Sequence, residues 1–214
     1  MLADDPSSRI SFFEKSAPYY DSILDLITFG QYAEFLKRAV GILAPSKGER
    51  ILDLCSGTGR TASWMSTAVG DTGELVGLDI TESMVKVATE RYGGLKNLTF
   101  LQRDVTEPFG YENHFDGIFT SFAIHELPEK KRLEALEHSY RALEEKGRMV
   151  IADFNPQVSG IAKAVLLLFF KLFERENFNF FSFEQNEILK KAGFKEAETF
   201  PVLAGMFQIT LAHK

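Results

Sequence analysis

The chain has 214 residues, 45% of them hydrophobic, and a formal net charge of −6 at pH 7. This length and composition are typical of one globular domain, so we treat residues 1–214 as a single unit. The acidic balance argues against a broad basic surface for nucleic acid. One cysteine, Cys55, cannot form an internal disulfide, and the histidines lack the spacing of a metal site. We therefore expect a cytoplasmic protein without a metal, and Asp4 and Asp5 do not fit a secretory signal.

Apolar periodicity divides the chain into elements. Residues 1–45 carry apolar side chains at helical spacing, interrupted at Pro18, which predicts an N-terminal helical cap. Beyond them, short apolar runs alternate with helical patterns. The predicted strands are 51–54, 74–78, 98–102, 117–121 and 148–152. The predicted helices between them are 61–69, 83–92 and 130–143.

This alternation of strands and helices predicts the fold class. Right-handed crossovers between such strands build a doubly wound α/β domain, a parallel sheet with helices on both faces. Near the end of the chain, residues 200–207 and 208–212 are predicted to form a hairpin that turns at Ala204 and Gly205. The sheet would then have seven strands, mostly parallel, with an antiparallel C-terminal hairpin.

The segment 155–192 interrupts this pattern and is predicted to be a helical, lid-like insertion. Its middle, 161–183, is rich in phenylalanine and carries Lys163, Lys171 and Arg175. Such a segment could cover an apolar pocket or make peripheral contact with a membrane surface. Equally, it could pack on the sheet or on a second subunit, which leaves oligomers open. Its apolar run is far shorter than the roughly 20 residues that cross a bilayer.

The first predicted strand runs into a glycine-rich loop. Residues 53–59 place Asp53 at the strand end and then two glycines, which let the backbone turn sharply and approach a ligand closely. Ligands of open parallel sheets bind beyond this end of the strands. The pattern also fits the alanine variant of the dinucleotide fingerprint, with Ala62 in the last position, and a tight turn without a ligand needs glycine as well.

Acids follow the next two strands. Asp79 ends the second strand, where a carboxylate can accept hydrogen bonds from both hydroxyls of a ribose. Asp104 follows the third strand and could accept from an adenine amino group. Each acid alone could be a solvated strand end or a helix cap. Asp53 would repel phosphate but would pair with a cationic amino group or sulfonium, so the three acids together favour a cationic, adenosine-containing ligand.

These motifs resemble those of class I S-adenosylmethionine-dependent methyltransferases. The resemblance covers residues 50–155 and rests on 51–59, 76–80, 102–105 and 115–119. Within that superfamily the chain looks most similar to the ubiquinone and menaquinone C-methyltransferase group. That likeness rests on the motifs 19–21, 82–84, 120–122, 140–148 and 204–206.

The resemblance implies S-adenosylmethionine as cofactor, S-adenosylhomocysteine as product and a small-molecule methyl acceptor. It implies that the glycine loop surrounds the methionine moiety, that Asp79 holds the ribose and that Asp104 meets the adenine. Core packing explains Met84 and Phe122 equally well, and helix packing explains Tyr20. The implied cofactor contacts are Tyr20, Asp53, Cys55, Ser56, Gly57, Thr58, Gly59, Asp79, Ile80, Met84, Asp104, Val105, Ser121 and Phe122.

The acceptor side departs from the quinone group. Residues 123–126 read Ala-Ile-His-Glu, where that group carries glycine and then an arginine and asparagine pair. The acceptor is therefore expected to be apolar or aromatic, like a quinone, lipid or phenol, without being fixed further. His125 is the best-placed general base by pKa and position, against the alternative of a structural histidine. Glu126 is a weaker candidate for the base, and Tyr19 or Tyr20 could orient the acceptor.

Two other functions remain open at this point. An NAD-dependent oxidoreductase could use a related glycine loop, although Asp53 and Asp104 would then have no explanation. A non-catalytic subunit could bind the cofactor without transferring a methyl group. Both differ from a methyltransferase in what they bind or in what they transfer, so direct binding and transfer measurements distinguish them.

Overall fold

The structure is a computed structural model that describes residues 6–160, 162–164, 167 and 185–214. The chain begins with the helices α1 Pro6–Ser16, α2 Tyr20–Ile27 and α3 Gln31–Leu43. Strands and helices follow as β1 Arg50–Leu54, α4 Arg60–Val69, β2 Glu74–Asp79, α5 Glu82–Tyr92, β3 Leu98–Gln102, β4 Phe115–Ser121, a short 3-10 helix Ile124–Glu126, α6 Glu129–Ala142 and β5 Leu143–Phe154. The last described elements are α7 Gln185–Lys191, β6 Glu196–Val202 and β7 Phe207–His213.

The strands form one seven-stranded sheet in the order β3-β2-β1-β4-β5-β7-β6. β1 to β5 run parallel, whereas β7 is antiparallel to both β5 and β6. The strand order reverses between β1 and β4, so the ends of these two strands form the position at which such sheets bind ligands. This topology confirms the predicted doubly wound fold with an antiparallel C-terminal hairpin.

Helices cover both faces of the sheet. Alternate residues of the parallel strands point to opposite faces, and in β1, β2 and β4 both sets are largely buried. On one face, Phe35 and Leu36 of α3 pack with Met65 of α4. On the other face, Leu136 of α6 packs with Leu189 of α7. The two cores hold the carboxyl ends of β1 to β5 at one edge, where the predicted site residues lie.

Two boundaries differ from the sequence prediction. β5 begins at Leu143 rather than at residue 148, because Leu143 already pairs with Phe115 before the register shifts. In the hairpin, Leu203, Ala204 and Gly205 have φ angles of 51°, 54° and 79°. These left-handed residues turn the chain there, so Phe207 belongs to the second strand of the hairpin and not to the first.

The predicted insertion 155–192 lies only partly within the described residues. The same holds for the predicted membrane-contact segment 161–183, of which 162–164 and 167 are described. Among the described residues, no helix has the length and apolar character needed to cross a membrane.

Gly77 of β2 leaves room for a neighbouring ring beside the glycine loop. A Cβ atom at this position would lie 2.6 Å from Phe100 Cδ1 and 2.9 Å from Ser56 Oγ. We therefore expect Gly77→Ala to lower the free energy of unfolding by about 1–3 kcal/mol, measured by urea denaturation, because the core would be overpacked. Gly41→Ala is the matched control: a Cβ atom on this exposed part of α3 meets nothing within 4 Å. The control should stabilise by roughly 0.5–1 kcal/mol, and equal effects of both changes would contradict the packing argument.

Candidate cofactor and acceptor site

The glycine loop connects β1 to α4 through left-handed residues. Cys55, Gly57 and Gly59 have φ angles of 54°, 53° and 79°. The loop is fixed to β2, since the Ser56 backbone N–H donates to the Leu78 carbonyl oxygen at 2.8 Å. A Cβ atom at Gly59 would collide with Phe100 at 2.6 Å, whereas one at Gly57 would meet nothing within 4 Å. Gly59 therefore serves packing, and Gly57 borders open space where a ligand can approach the backbone.

Asp79 stands at the end of β2 and faces this loop. Its carboxylate is buried and accepts hydrogen bonds from the Gly57 N–H at 2.8 Å and from the Thr81 N–H at 2.9 Å. Burial raises the pKa of Asp79, and the charge of Glu14 raises it further, while these N–H donors lower it. The carboxylate is thus held in place by backbone donors beside the open side of Gly57.

Asp53 lies beneath the same loop at the end of β1. The Thr61 hydroxyl donates to its carboxylate at 2.9 Å. Burial raises the pKa of Asp53 to about 7, and the neighbouring charge of Asp79 adds to the shift. A cation bound in the loop would favour the ionised form of this carboxyl group and release its proton.

Asp104 completes the set of acids at three neighbouring strands. It follows β3, is half-buried and accepts a hydrogen bond from the Thr106 N–H at 2.8 Å. The Cys55 thiol lies close enough to all three carboxylates to feel their charges. Burial is the main cause of its raised pKa, and the charges of Asp79, Asp53 and Asp104 raise it further. The three acids therefore surround the loop as the sequence suggested, and the Cys55 thiol stays protonated.

The apolar residues predicted at the cofactor differ in accessibility. Ile80, directly after Asp79, is 43% exposed, an unusual setting for isoleucine that an adenine ring could cover. Met84 and Val105 are buried with the core, and for Met84 this burial fits core packing as well as contact with an adenine. The Ser56 hydroxyl is buried and has no hydrogen-bond partner within the described ranges. An unsatisfied hydroxyl, open space at Gly57 and an exposed Ile80 fit a nucleoside bound at this edge.

Comparison with known proteins identifies the family. The profile of the ubiE/COQ5 methyltransferase family matches residues 6–182. The chain belongs to this methyltransferase family. A demethylmenaquinone methyltransferase of Staphylococcus aureus (strain JH9) is 30% identical over 159 residues, which cover 74% of this chain and 65% of that relative. This chain thus spans less than two thirds of the length of that relative.

Two further similarities support the family and the fold. A demethylmenaquinone methyltransferase of Staphylococcus carnosus (strain TM300) is 28% identical, and the alignment covers 94% of this chain and 91% of the relative. The solved SAM-dependent methyltransferase from Aquifex aeolicus is 23% identical, has a TM-score of 0.62 and covers 83% of this chain and 88% of that chain. At this identity the structural likeness concerns the fold alone.

The N-terminal cap of this family member is tied to the glycine loop by charges. Asp21 of α2 is buried and accepts hydrogen bonds from the Thr58 hydroxyl at 2.7 Å and from Arg91 Nη1 at 2.6 Å. Arg60, at the start of α4, donates to both carboxylate oxygens of Asp25 at 2.9 and 2.8 Å. We call these five residues the Asp21 cluster. It holds α2 across the loop and next to the candidate cofactor site.

The two tyrosines predicted near the site are placed differently. Tyr20 begins α2 and is half-buried, with its ring centroid 6.0 Å from that of Phe13. Tyr19 is 66% exposed. The orientation of the acceptor by Tyr19 therefore stays a prediction, and the geometry favours Tyr20 as the residue on the inner side of the cap.

The side of the candidate site formed by the end of β4 is aromatic. Ser121 ends β4, and the half-buried Phe122 follows with a left-handed φ of 49°. Four rings surround Phe122 at centroid distances of 5.2–5.7 Å. They belong to Tyr32, Phe35, Phe154 and Phe207, and with Phe122 we call them the aromatic cluster. Phe122 therefore lies next to the switch point between β1 and β4, while its contact with a cofactor or an acceptor stays a prediction.

His125 is enclosed by carboxylates. Its Nδ1 lies 2.6 Å from Asp153 Oδ1, its Nε2 lies 3.3 Å from Glu126 Oε1, and its side chain is only 1% exposed. Arg132 of α6 donates to the carbonyl oxygens of Ile124 and Leu127, both at 2.9 Å, on either side of the histidine. A general base must reach the proton that it removes. This enclosed position favours the structural alternative for His125 over the base.

Several site residues escape sequence reasoning because their partners are remote in the chain. Asp21 and Arg91 are 70 positions apart, and His125 and Asp153 are 28 positions apart. Of these residues, only the acidic pair Asp21 and Asp25 has a spacing that could have indicated a charged helix face, because the other residues of that helix are largely apolar. Such spacing indicates a charged face but does not name the cations that meet it.

The raised pKa of Asp53 predicts a pH-dependent stability. The folded protein retains this proton up to about pH 7, whereas the unfolded chain releases it near 4, so the free energy of unfolding falls as pH rises between these values. The effect amounts to about 4 kcal/mol at most. In Asp53→Asn the corresponding fall should be absent when unfolding is measured in urea from pH 4.5 to pH 8. The same pH dependence in the variant and the wild type would contradict the assignment.

From the Asp21 cluster we predict that two acid-to-amide changes lower the free energy of unfolding by different amounts. Asp21→Asn removes a buried carboxylate that lies 2.6 Å from Arg91 and 3.5 Å from Arg60, although Arg60 keeps Asp25. We therefore expect the free energy of unfolding to fall by about 3 kcal/mol. Glu34→Gln is the control, since its ion pair with Lys37 is solvent-exposed and should cost less than about 1 kcal/mol. Hydrogen exchange should also accelerate in α1 and α2 of the Asp21 variant. Unchanged exchange there would show that the cluster does not hold the cap.

Proposed function

We propose that this chain catalyses methyl transfer from S-adenosylmethionine to a small apolar or aromatic acceptor. The observation that carries the proposal is the convergence of Asp53, Asp79 and Asp104 around an open glycine loop in a member of a methyltransferase family. Three carboxylates disfavour a pyrophosphate and favour a cationic nucleoside. This argues against the NAD-dependent alternative.

Each residue has a role that suits its position. Asp79 would accept hydrogen bonds from the ribose hydroxyls, and Asp104 would accept one from the adenine amino group. Asp53 would interact with the positive charge of the methionine moiety, while Gly57 leaves room for it. When bound, S-adenosylmethionine supplies a methyl group whose bond to sulfur breaks, with the electron pair staying on sulfur, as the acceptor forms the new bond. The protein's main task is then to align the two partners and exclude water.

The acceptor is proposed from the relatives and from the aromatic cluster. Two relatives bear the name demethylmenaquinone methyltransferase, and the aromatic cluster offers flat apolar contacts beside the loop. An unmethylated naphthoquinol is therefore the first acceptor to test. The departure at residues 123–126 extends the proposal to other quinones, phenols and lipids. Peripheral membrane contact through 161–183 and a cytoplasmic location both remain predictions from the sequence.

Two measurements test the proposal. Calorimetric titration with S-adenosylhomocysteine and with NAD should give binding for the first and none for the second. Methyl-labelled S-adenosylmethionine, incubated with fractions of lipids, quinones and polar metabolites, should then transfer label to an organic-soluble product. Binding without any transfer would support a non-catalytic subunit, and binding of NAD alone would support an oxidoreductase.

Asp79 should dominate the affinity for the cofactor. Asp79→Ala removes the acceptor of both ribose hydroxyls, and charged hydrogen bonds of this kind contribute about 1.5–3 kcal/mol each. We expect the affinity for S-adenosylhomocysteine to fall at least about 100-fold by calorimetry. Asp71→Ala, an exposed acid between α4 and β2, is the control and should bind like the wild type. Unchanged affinity in Asp79→Ala would refute the ribose assignment.

A further inference from the structure

The turn after β4 holds a large side chain in a strained backbone conformation. Phe122 is not glycine, yet it has a φ of 49°, which costs on the order of 1 kcal/mol or more. Its backbone N–H still donates to the Ala152 carbonyl oxygen at 2.9 Å, so the residue remains attached to β5. Such strain persists only where the surroundings fix it, which directs attention to the groups that hold the turn.

Asp153 holds the turn from the sheet. It lies near the end of β5, and its Oδ2 accepts a hydrogen bond from the His125 backbone N–H at 3.3 Å. Its Oδ1 lies 2.6 Å from His125 Nδ1 and accepts from the Phe154 N–H at 2.8 Å. One buried carboxylate therefore contacts both the backbone and the ring of the residue three positions after Phe122.

Arg132 holds the same turn from the helix side. Besides the carbonyl oxygens of Ile124 and Leu127, its guanidinium group donates to that of His125 at 3.3 Å. Burial lowers the pKa of Arg132, and the charge of Asp153 raises it. A cation and an anion thus secure successive peptide groups of the short 3-10 helix from opposite sides.

We propose that Asp153, His125 and Arg132 are positioning residues that act through Phe122, holding its ring against the methyl acceptor. The proposal rests on the proposed function, because it assigns Phe122 to the acceptor side of that site instead of to the cofactor contacts that the resemblance implied. His125 lies between Asp153 and Glu126, with its ring nitrogens 2.6 and 3.3 Å from their carboxylate oxygens. It does not remove a proton from the acceptor.

A double-mutant cycle between Asp153 and Phe122 tests the proposal. The probe is 1,4-naphthoquinol, titrated calorimetrically without oxygen into the complex with S-adenosylhomocysteine. Asp153→Asn and Phe122→Leu should each weaken the naphthoquinol affinity about tenfold, while the affinity for S-adenosylhomocysteine stays within about twofold of the wild type. The naphthoquinol affinity of the double variant should lie within about twofold of that of Phe122→Leu alone, because Asp153 acts through that ring.

Independent effects would overturn the proposal. If the two losses multiply to about 100-fold in the double variant, Asp153 does not act through Phe122. Absence of naphthoquinol binding to the wild-type complex would overturn it as well. If the wild-type protein does not bind S-adenosylhomocysteine at all, the proposed function is refuted. Failure of the proposed function can thus be distinguished from failure of the positioning role. The control is His114→Gln, since His114 pairs with Glu74 at 2.9 Å near the start of β4, at the opposite end of the sheet.

A second variant separates positioning from proton removal and serves if Asp153→Asn does not fold. His125→Gln keeps a hydrogen-bond donor toward Asp153 but cannot take up a proton near neutral pH. For a positioning residue we expect kcat with 1,4-naphthoquinol to fall less than about tenfold, KM to rise, and the pH profile to keep its shape. A fall of about 100-fold or more in kcat together with loss of a limb of the profile would identify a general base instead.

Discussion

The burial of two carboxylates at the ends of neighbouring strands is the constraint on which the rest of this structure depends. In the described residues, Asp53 and Asp79 are stabilised by a threonine hydroxyl and by backbone N–H groups, which offset only part of the cost of removing them from water. A free protein of this kind stores an unfavourable electrostatic energy at its loop. A ligand that brings a positive charge relieves that energy. The same buried carboxylates therefore lower the stability of the free protein and raise its affinity for a cationic ligand.

The two halves of the cleft are held by different forces. On the side of β1 to β3, charges dominate: the Asp21 cluster ties the helical cap to the glycine loop, and acids face the open space at Gly57. On the side of β4 and β5, half-buried rings of the aromatic cluster form the surface, and the buried charges of Asp153 and Arg132 lie behind it. This division suits a reaction between a charged donor and an apolar acceptor, because each partner meets a surface of its own character.

Local patterns predict the sheet well, since alternating strands and helices have only a few arrangements that bury both faces. The acids at strand ends were also predictable, because strands of a parallel sheet end at one edge. The Asp21 cluster was not, because its charges come from α2, α4 and α5 and meet only in three dimensions. For His125, sequence reasoning was limited in the same way. Its position after β4 suggested a base, but its enclosure depends on Asp153, which lies beyond α6 near the end of β5.

Phe100 connects two glycines that are far apart in the sequence. Its ring fills the space that a side chain at Gly59 or at Gly77 would need. A side chain at either glycine would also meet a second neighbour, Ser56 Oγ at 2.9 Å from a Cβ atom at Gly77 and Ala88 Cβ at 3.0 Å from one at Gly59, where φ is 79° as well. A smaller residue at position 100 would therefore relieve only part of each collision, and it would leave a cavity. Among descendants of such a chain, a change at either glycine costs less stability where position 100 already carries a smaller residue, so the three positions should vary as a set.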